Sequence, residues 1–406
     1  MYFIKNNILI TQVVEFFSTI NFRYTSRTLF NSFVFGLSLW VAGVIFSINC
    51  LAFETSAKQA ILVDDVTGTV LFSKNEDDLM YPASMSKLMT LYIVFELIDK
   101  GKLSLDDKFL VSEKAWRMGG SRMFLEVGSR VLISDLLRGI IVQSGNDACI
   151  VLAEGIAGSE EAFADLMNIR SKSIGLKSSN FVNSTGWPHK NHSTTAKDLA
   201  ILVHRIIHDF PKFYAIFSER EFKYNNINQK NRNPLLRVFP GADGLKTGYT
   251  KDSGYGLAAS AKRAERRLII VANGIKSSKQ RAKETGLLLD YGFSQFNNHV
   301  LFTKGEIVEE LDVWLGKEPK VSLIIESNLT LTLSREARKS MRVSVIAPGP
   351  IPAPIEKGQA IAQLKVDLPD RETIRIPLVA GKSIDSLSGF GRIGKAFNHL
   401  IWGENK

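Results

Sequence analysis

Ser84-Met85-Ser86-Lys87 places a hydroxyl and an amine three positions apart. On a helix, residues at that spacing share a face and can touch. A serine hydroxyl is a weak nucleophile until a neighbour takes its proton. Lys87 can do so only as a neutral amine, so its pKa must be depressed. Desolvation and a second nearby cation both act in that direction. At a helix N-terminus, free backbone N–H groups would also favour a developing negative charge. Alone, S-x-x-K is a common pattern, and a helix cap followed by a solvated lysine accounts for it equally well.

Two further clusters follow. Ser144-Gly145-Asn146 comes sixty positions later, in a gap between two predicted helices. Ser, Gly and Asn are turn residues, so an ordinary turn is the bland alternative. Lys246-Thr247-Gly248 lies another 102 positions on, in a stretch marked by Gly241, Gly244 and Gly248. Lys246 and Thr247 offer a cation and a hydroxyl to a substrate carboxylate. Gly248 would let a ligand backbone approach closely. A surface hairpin is the bland alternative here.

The elements that must position these residues are legible from periodicity. Ala60 to Phe72 reads as two strands around a Thr67-Gly68 turn. Ser84 to Asp99 reads as one helix, with Pro82 before it and Gly101 after it. Ser134 to Val142 and Asp147 to Ile156 read as two more. Glu160 and Glu161 also fall in a helical stretch. Thr195 to Ile207 is helical, with Ser193 and Thr194 as capping candidates. Gly254 to Ser260 and Leu268 to Asn273 read as neighbouring strands, the second apolar enough to be central. Lys279 to Leu289 is a helix closing this mixed domain near Phe293. From about 297 to 382 short strands dominate and suggest a small antiparallel sandwich. Pro-Gly-Pro-Ile-Pro-Ala-Pro at 348–354 reads as a connection or an edge.

The three clusters keep the order and chemistry of the S-x-x-K, S-x-N and K-T-G set of serine penicillin-binding proteins and class A β-lactamases. From about Ala57 to the C-terminus the chain resembles the low-molecular-mass D-alanyl-D-alanine carboxypeptidases. The surroundings Pro82-Ala83-Ser84, Gly145-Asn146-Asp147-Ala148 and Asp243 to Thr250 share in the likeness, as does the stretch from Gly175 to Thr194. The resemblance implies an α/β (α+β) penicillin-binding, β-lactamase-like domain at 53–293, with an antiparallel sheet and a helical subdomain. A C-terminal all-β sandwich would occupy 297–385.

It also implies roles. Ser84 would attack the carbonyl between the two terminal D-alanines of a peptidoglycan stem peptide, with Lys87 as general base. Ser144 and Asn146 would relay a proton and hold the substrate or the lysine. Lys246 and Thr247, beside Gly248, would bind the terminal carboxylate. Backbone N–H groups of Ser84 and Tyr249 would form the oxyanion hole. β-Lactams would acylate Ser84. No cofactor or metal is implied.

The chain has 406 residues and a net charge of +10, from 51 basic and 41 acidic residues. That charge suits an anionic membrane surface or an acidic polymer. No finger spacing, stacking aromatic string or dense Arg run points to nucleic acid. Residues 33–48 carry no charge, and Lys5, Arg23 and Arg27 precede them. Residues 1–52 are expected to be a cleaved signal peptide, with an uncleaved anchor as the alternative. Cys149 is then left alone and is expected to be a buried apolar thiol. Residues 386–406 read as a short basic amphipathic helix, which would lie in a membrane interface or pack on the sandwich. The resemblance favours the membrane, giving an exported protein held on the outer, periplasmic face of the cytoplasmic membrane.

Three rivals use the same residues differently. A class A β-lactamase needs a deacylating Glu between the second and third clusters; none occurs between Glu161 and Glu219. A D,D-endopeptidase would share the whole machinery. A catalytically dead wall- or membrane-binding protein would have no need of three intact clusters. His189 and His192 hint at metal, but Asp198 is the only acid near them, so hydrogen bonding is the expected use. Arg281 could hold a carboxylate; an ordinary surface arginine is the expectation.

Overall fold

The computed structural model describes residues 53–369 and 371–389. The leader read over 1–52 and most of the tail read over 386–406 lie outside the described residues. Among these residues no helix is long and apolar enough to cross a membrane.

Five strands build the principal sheet: β1 (Gln59–Asp64), β2 (Val70–Lys74), β3 (Ala242–Thr250), β4 (Gly254–Arg263) and β5 (Arg266–Ile275). They are antiparallel, in the order β2-β1-β5-β4-β3. The central β5 is buried from Leu268 to Ile275, as expected for a strand covered on both faces. The two-residue period of a strand sorts its side chains. Ile61, Ile269 and Val271 face the main helical core. Leu62 and Leu268 meet Gly292 of α5 (Ser278–Gln295) on the other face.

α1 (Lys87–Asp99) is the pillar of the helical part. Its residues 87–95 are all buried, the pattern of a helix surrounded by protein. It packs against α2 (Asn146–Ala157), α3 (Glu160–Ser173) and α4 (Ala196–Asp209). Around Phe95 the rings of Phe210, Phe213 and Phe217 gather at centroid distances of 5.1–6.3 Å. α4 is amphipathic, burying Leu199, Leu202, Val203, Ile206 and Ile207.

Several helix boundaries differ from the sequence reading, among them the end of α5, at Gln295 rather than Leu289. Ser84 is not in the α-helix: Ala83–Ser86 form a 3-10 turn, and α1 starts at Lys87. The segment read as one helix from Ser134 is an α-helix, Ile133–Arg138, that widens into a π turn at Gly139–Gln143. The cap of α4 is Thr195, whose hydroxyl accepts from the Asp198 amide, rather than Ser193 or Thr194. Ser193 and Thr194 are taken by bridges to Asn180 and Met80.

The C-terminal strands are β6 (Phe296–Phe302), β7 (Ile307–Trp314), β8 (Lys320–Ile324), β9 (Leu329–Ser334), β10 (Arg342–Ile346), β11 (Ile351–Pro352), β12 (Ala360–Leu368) and β13 (Arg371–Ala380). β6 pairs with β9, and the rest form a sheet in the order β10-β12-β13-β8-β7-β11. Alternate residues such as Val321 and Leu323, or Leu364 and Val366, feed a second core. The proline-rich stretch supplies β11, which pairs in parallel with β7 at the sheet margin. Proline is tolerated there because an edge needs fewer donors. Within this C-terminal part, β6 and a short helix at Arg335–Ser340 capped by Ser334 had no counterpart in the sequence reading.

Phe95→Ala would remove the ring on which three others converge. Urea unfolding should show a loss of about 3–5 kcal/mol, with the midpoint falling and the slope unchanged.

Candidate functional site

Ser84 sits in the 3-10 turn, and Lys87 opens α1 directly beneath it. Lys87 Nζ lies 2.8 Å from Ser84 Oγ and donates to the Thr185 carbonyl at 2.5 Å. The lysine is fully buried, and no carboxylate is paired with it among the described residues. Burial is the main cause that lowers its pKa to about 8, and the charge of Arg232 adds to it.

Ser144 ends the π turn in a left-handed conformation, at φ 68°. The tight turn lets Asn146 begin α2 and faces Ser144 toward the cleft. Asn146 is tied to a facing segment: its amide donates to Ser121 O at 2.7 Å, and its Nδ2 to Gly119 O at 2.8 Å. Asp147 fastens the same segment. Its buried carboxylate accepts from the amides of Met123, Phe124 and Leu125 at 3.0–3.3 Å.

Lys246, Thr247, Gly248 and Tyr249 lie on β3, the edge of the sheet. Thr247 and Tyr249 line the cleft, whereas Lys246 is buried behind it. Burial drives the Lys246 pKa well below its ordinary value, and the neighbouring Lys87 and Arg232 push the same way. Gly248 also has a packing role that its sequence did not suggest. A Cβ there would sit 2.8 Å from Pro82 O and 3.3 Å from Ala83 Cβ. The glycine thus admits the turn that carries Ser84, and its backbone also lines the cleft.

The loop at 183–192 closes the arrangement. Asn183 Oδ1 accepts from the amides of Thr185, Gly186 and Trp187 and from the Thr185 hydroxyl at 2.8–3.2 Å. Gly186 has φ +77°, and a Cβ on it would lie 1.8 Å from Ala83 O. His192 is buried between loop and turn. Its Nδ1 accepts from the Val182 amide at 3.1 Å, so Nε2 carries the proton toward Ser86 Oγ at 2.7 Å. Ser86 Oγ in turn donates to Ala83 O. His189 Nδ1 accepts from the Asn191 amide. Both histidines are used for hydrogen bonding.

A cleft of about 810 Å³ connects Ser84, Ser144, Asn146, Thr247, Gly248 and Tyr249. It is also lined by Thr185, Arg232 and Arg281, none of which the sequence reading placed there. Arg281 is not the surface residue expected. It is 6% exposed, its Nε has no partner among the described residues, and burial lowers its pKa to about 10. A legible signal existed. Arg281, Thr285, Leu288, Leu289 and Gly292 recur at helical spacing on the buried face of α5. Arg232 carried no such signal, since its neighbours Lys230, Asn231 and Asn233 are all polar and show no apolar period.

The arrangement can bring a serine hydroxyl, a near-neutral amine and several cations to one anionic, acyl-bearing ligand. Cys149 is buried, as expected, and burial raises its thiol to about 12, so it takes no part as a nucleophile.

His192 makes the site acid-sensitive. Burial foremost, then the Lys87 charge, depress its pKa from 6.5 to about 4. Between those values the unfolded chain binds the extra proton and the folded chain does not. Stability is therefore full above pH 6.5 and is lost as pH falls toward 4, by up to about 3 kcal/mol. Denaturant unfolding across pH 4–7 should show this slope, and His192→Gln should flatten it.

Comparison with known proteins agrees with this geometry. A family model described as D-alanyl-D-alanine carboxypeptidase matches residues 47–277, and one for the C-terminal domain of penicillin-binding protein 5 matches 296–386. The D-alanyl-D-alanine carboxypeptidase DacF of Bacillus subtilis is 36% identical over 341 residues, 82% of this chain and 87% of the relative. Penicillin-binding protein 5 of Haemophilus influenzae superposes with a TM-score of 0.73 at 33% identity, covering 83% of this chain and 100% of that one. Penicillin-binding protein D2 of Listeria monocytogenes, in its ampicillin-bound form, superposes with a TM-score of 0.56 at 29% identity, covering 60% and 99%. The chain belongs to the D-alanyl-D-alanine carboxypeptidases, serine-type peptidases with a penicillin-binding fold.

Proposed function

We propose that this serine D-alanyl-D-alanine carboxypeptidase works through an acyl-enzyme on Ser84, with Lys87 as its base. The observation that carries the proposal is the 2.8 Å contact between Lys87 Nζ and Ser84 Oγ, at a buried amine whose pKa lies near 8. The neutral amine takes the hydroxyl proton as Oγ attacks the carbonyl between the two D-alanines of a stem peptide. The backbone N–H groups of Ser84 and Tyr249 hold the oxyanion. Ser144 passes a proton to the departing amine, and Asn146 positions the substrate. Free D-alanine leaves, and water then clears the ester.

Thr247 receives the terminal carboxylate, with Arg281 as its charge partner. Lys246, beside Thr247 on β3, is buried outside the cleft lining, and its depressed pKa disfavours the charged form. A β-lactam presents the same carboxylate and acyl carbon, so it would acylate Ser84; a related protein binds ampicillin.

Glu160 argues against a β-lactamase. It accepts from Ser184 and pairs with Lys114 at 3.1 Å, and the cleft lining includes no glutamate. The proposed setting is the periplasm, after removal of residues 1–52, with residues 386–406 resting on the outer face of the cytoplasmic membrane. The domain limits we propose are 53–293 and 297–385.

Mass spectrometry with benzylpenicillin should place one adduct on Ser84. Ser84→Ala should give none and should lower D-alanine release by on the order of 10³-fold or more. An unmodified Ser84 in the intact chain would refute the mechanism. Lys87 must be unprotonated to act, so acylation should rise about tenfold per pH unit below 8 and level off above it. Arg281→Gln should raise KM for a D-Ala-D-Ala peptide by roughly tenfold or more and lower kcat much less, a cost of about 1.5–3 kcal/mol.

A further inference from the structure

A second cluster of chemistry-bearing side chains lies away from the cleft, where α4 crosses the end of β1. His204 and His208 are four apart on α4, so one helix face carries both rings. Both address Asp65, which follows β1. His204 Nδ1 lies 2.7 Å from Asp65 Oδ1, and His208 Nε2 lies 3.0 Å from Asp65 Oδ2. The three donor atoms fall within 4.8 Å of one another.

We propose that Asp65, His204 and His208 bind a divalent transition-metal ion of the zinc class, clasping α4 to β1. Two imidazoles and a carboxylate are a donor set that Zn²⁺ favours, at nitrogen distances of about 2.0–2.1 Å and with donors roughly 3.3 Å apart. Closing to that spacing needs only small turns of the two rings, whose side chains are 46% and 51% exposed. The carboxylate, in contrast, is held fast. Asp65 is 6% exposed, and its amide donates to Arg267 O at 3.0 Å.

Charge balance leaves room for the ion. Lys197 lines the neighbouring cavity, but among the described residues Arg267 is the one lysine or arginine within ion-pair reach of Asp65, with its Nε 4.0 Å away. Its other nitrogens are committed to Asp243, Tyr214 and Ser260. The carboxylate's direct partners are thus the two imidazoles. Mutual hydrogen bonding would satisfy the three groups, but it does not require two rings side by side with centroids 4.3 Å apart. A cavity of about 310 Å³ opens beside Asp65 and His204, an entry path and a place for a water as fourth ligand. The i,i+4 spacing alone could have flagged the pair in the sequence, but the third donor lies 139 positions upstream of His204.

The test is calorimetric titration of the full chain, freed of any histidine tag and stripped with EDTA, using Zn²⁺ as the probe. One ion should bind per chain, and Co²⁺ should give a visible absorption band of a low-coordinate site. His204→Gln and His208→Gln should each weaken Zn²⁺ binding by about tenfold or more. His299→Gln, on β6, should leave it unchanged. Penicillin acylation at Ser84 should persist in all three variants and so report intact folding. Absence of saturable binding to the stripped chain would overturn the proposal, as would an affinity that neither α4 variant changes.

Discussion

A buried amine beside a hydroxyl governs the design of this protein. An ammonium group in a dry interior is costly, and that cost is what lowers the Lys87 pKa to about 8. The interior around it must therefore be well packed and poor in direct counter-charge. α1 supplies this by being enclosed from residue 87 to 95. The packing of the helical core and the lowered pKa of Lys87 are in that sense one property. Arg232 reinforces the effect at longer range.

The same dryness explains why the three clusters come from distant parts of the chain. Ser84 comes from the turn before α1, Ser144 from the turn before α2, and Thr247 from the sheet edge. Each lies at the end or margin of an element, where a polar side chain can face a cleft while its neighbours fill the core. Small residues set the spacing. Gly186 and Gly248 both abut the turn at Pro82 and Ala83, one from the loop and one from the strand. Asn146 and Asp147 tie the remaining wall, Gly119 to Leu125, through backbone groups.

The residues gathered at the centre were legible because residue type and order marked them. Ser84, Lys87, Ser144, Asn146, Thr247 and Tyr249 all meet at or beneath the cleft. The main strands and helices were legible too, since apolar periods of two and of three to four are read directly. What could not be read was the local backbone. A 3-10 turn at Ser84 and a π turn before Ser144 arise from tertiary packing, which overrides the smooth helical period. Contributions made by backbone atoms were equally hidden: the Thr185 carbonyl has no side-chain signature. Arg281 was misjudged because an arginine is ordinarily a surface residue, and its place on the apolar stripe of α5 outweighs that rule.

The Thr185 carbonyl has a directional consequence. A neutral amine carries two hydrogens and a single lone pair. One hydrogen is claimed by Thr185 O at 2.5 Å, and the loop that presents this oxygen is braced by Asn183. Rotation about the last lysine bond is thereby restricted. The amine is thereby held in one orientation toward the Ser84 hydroxyl before any peptide arrives.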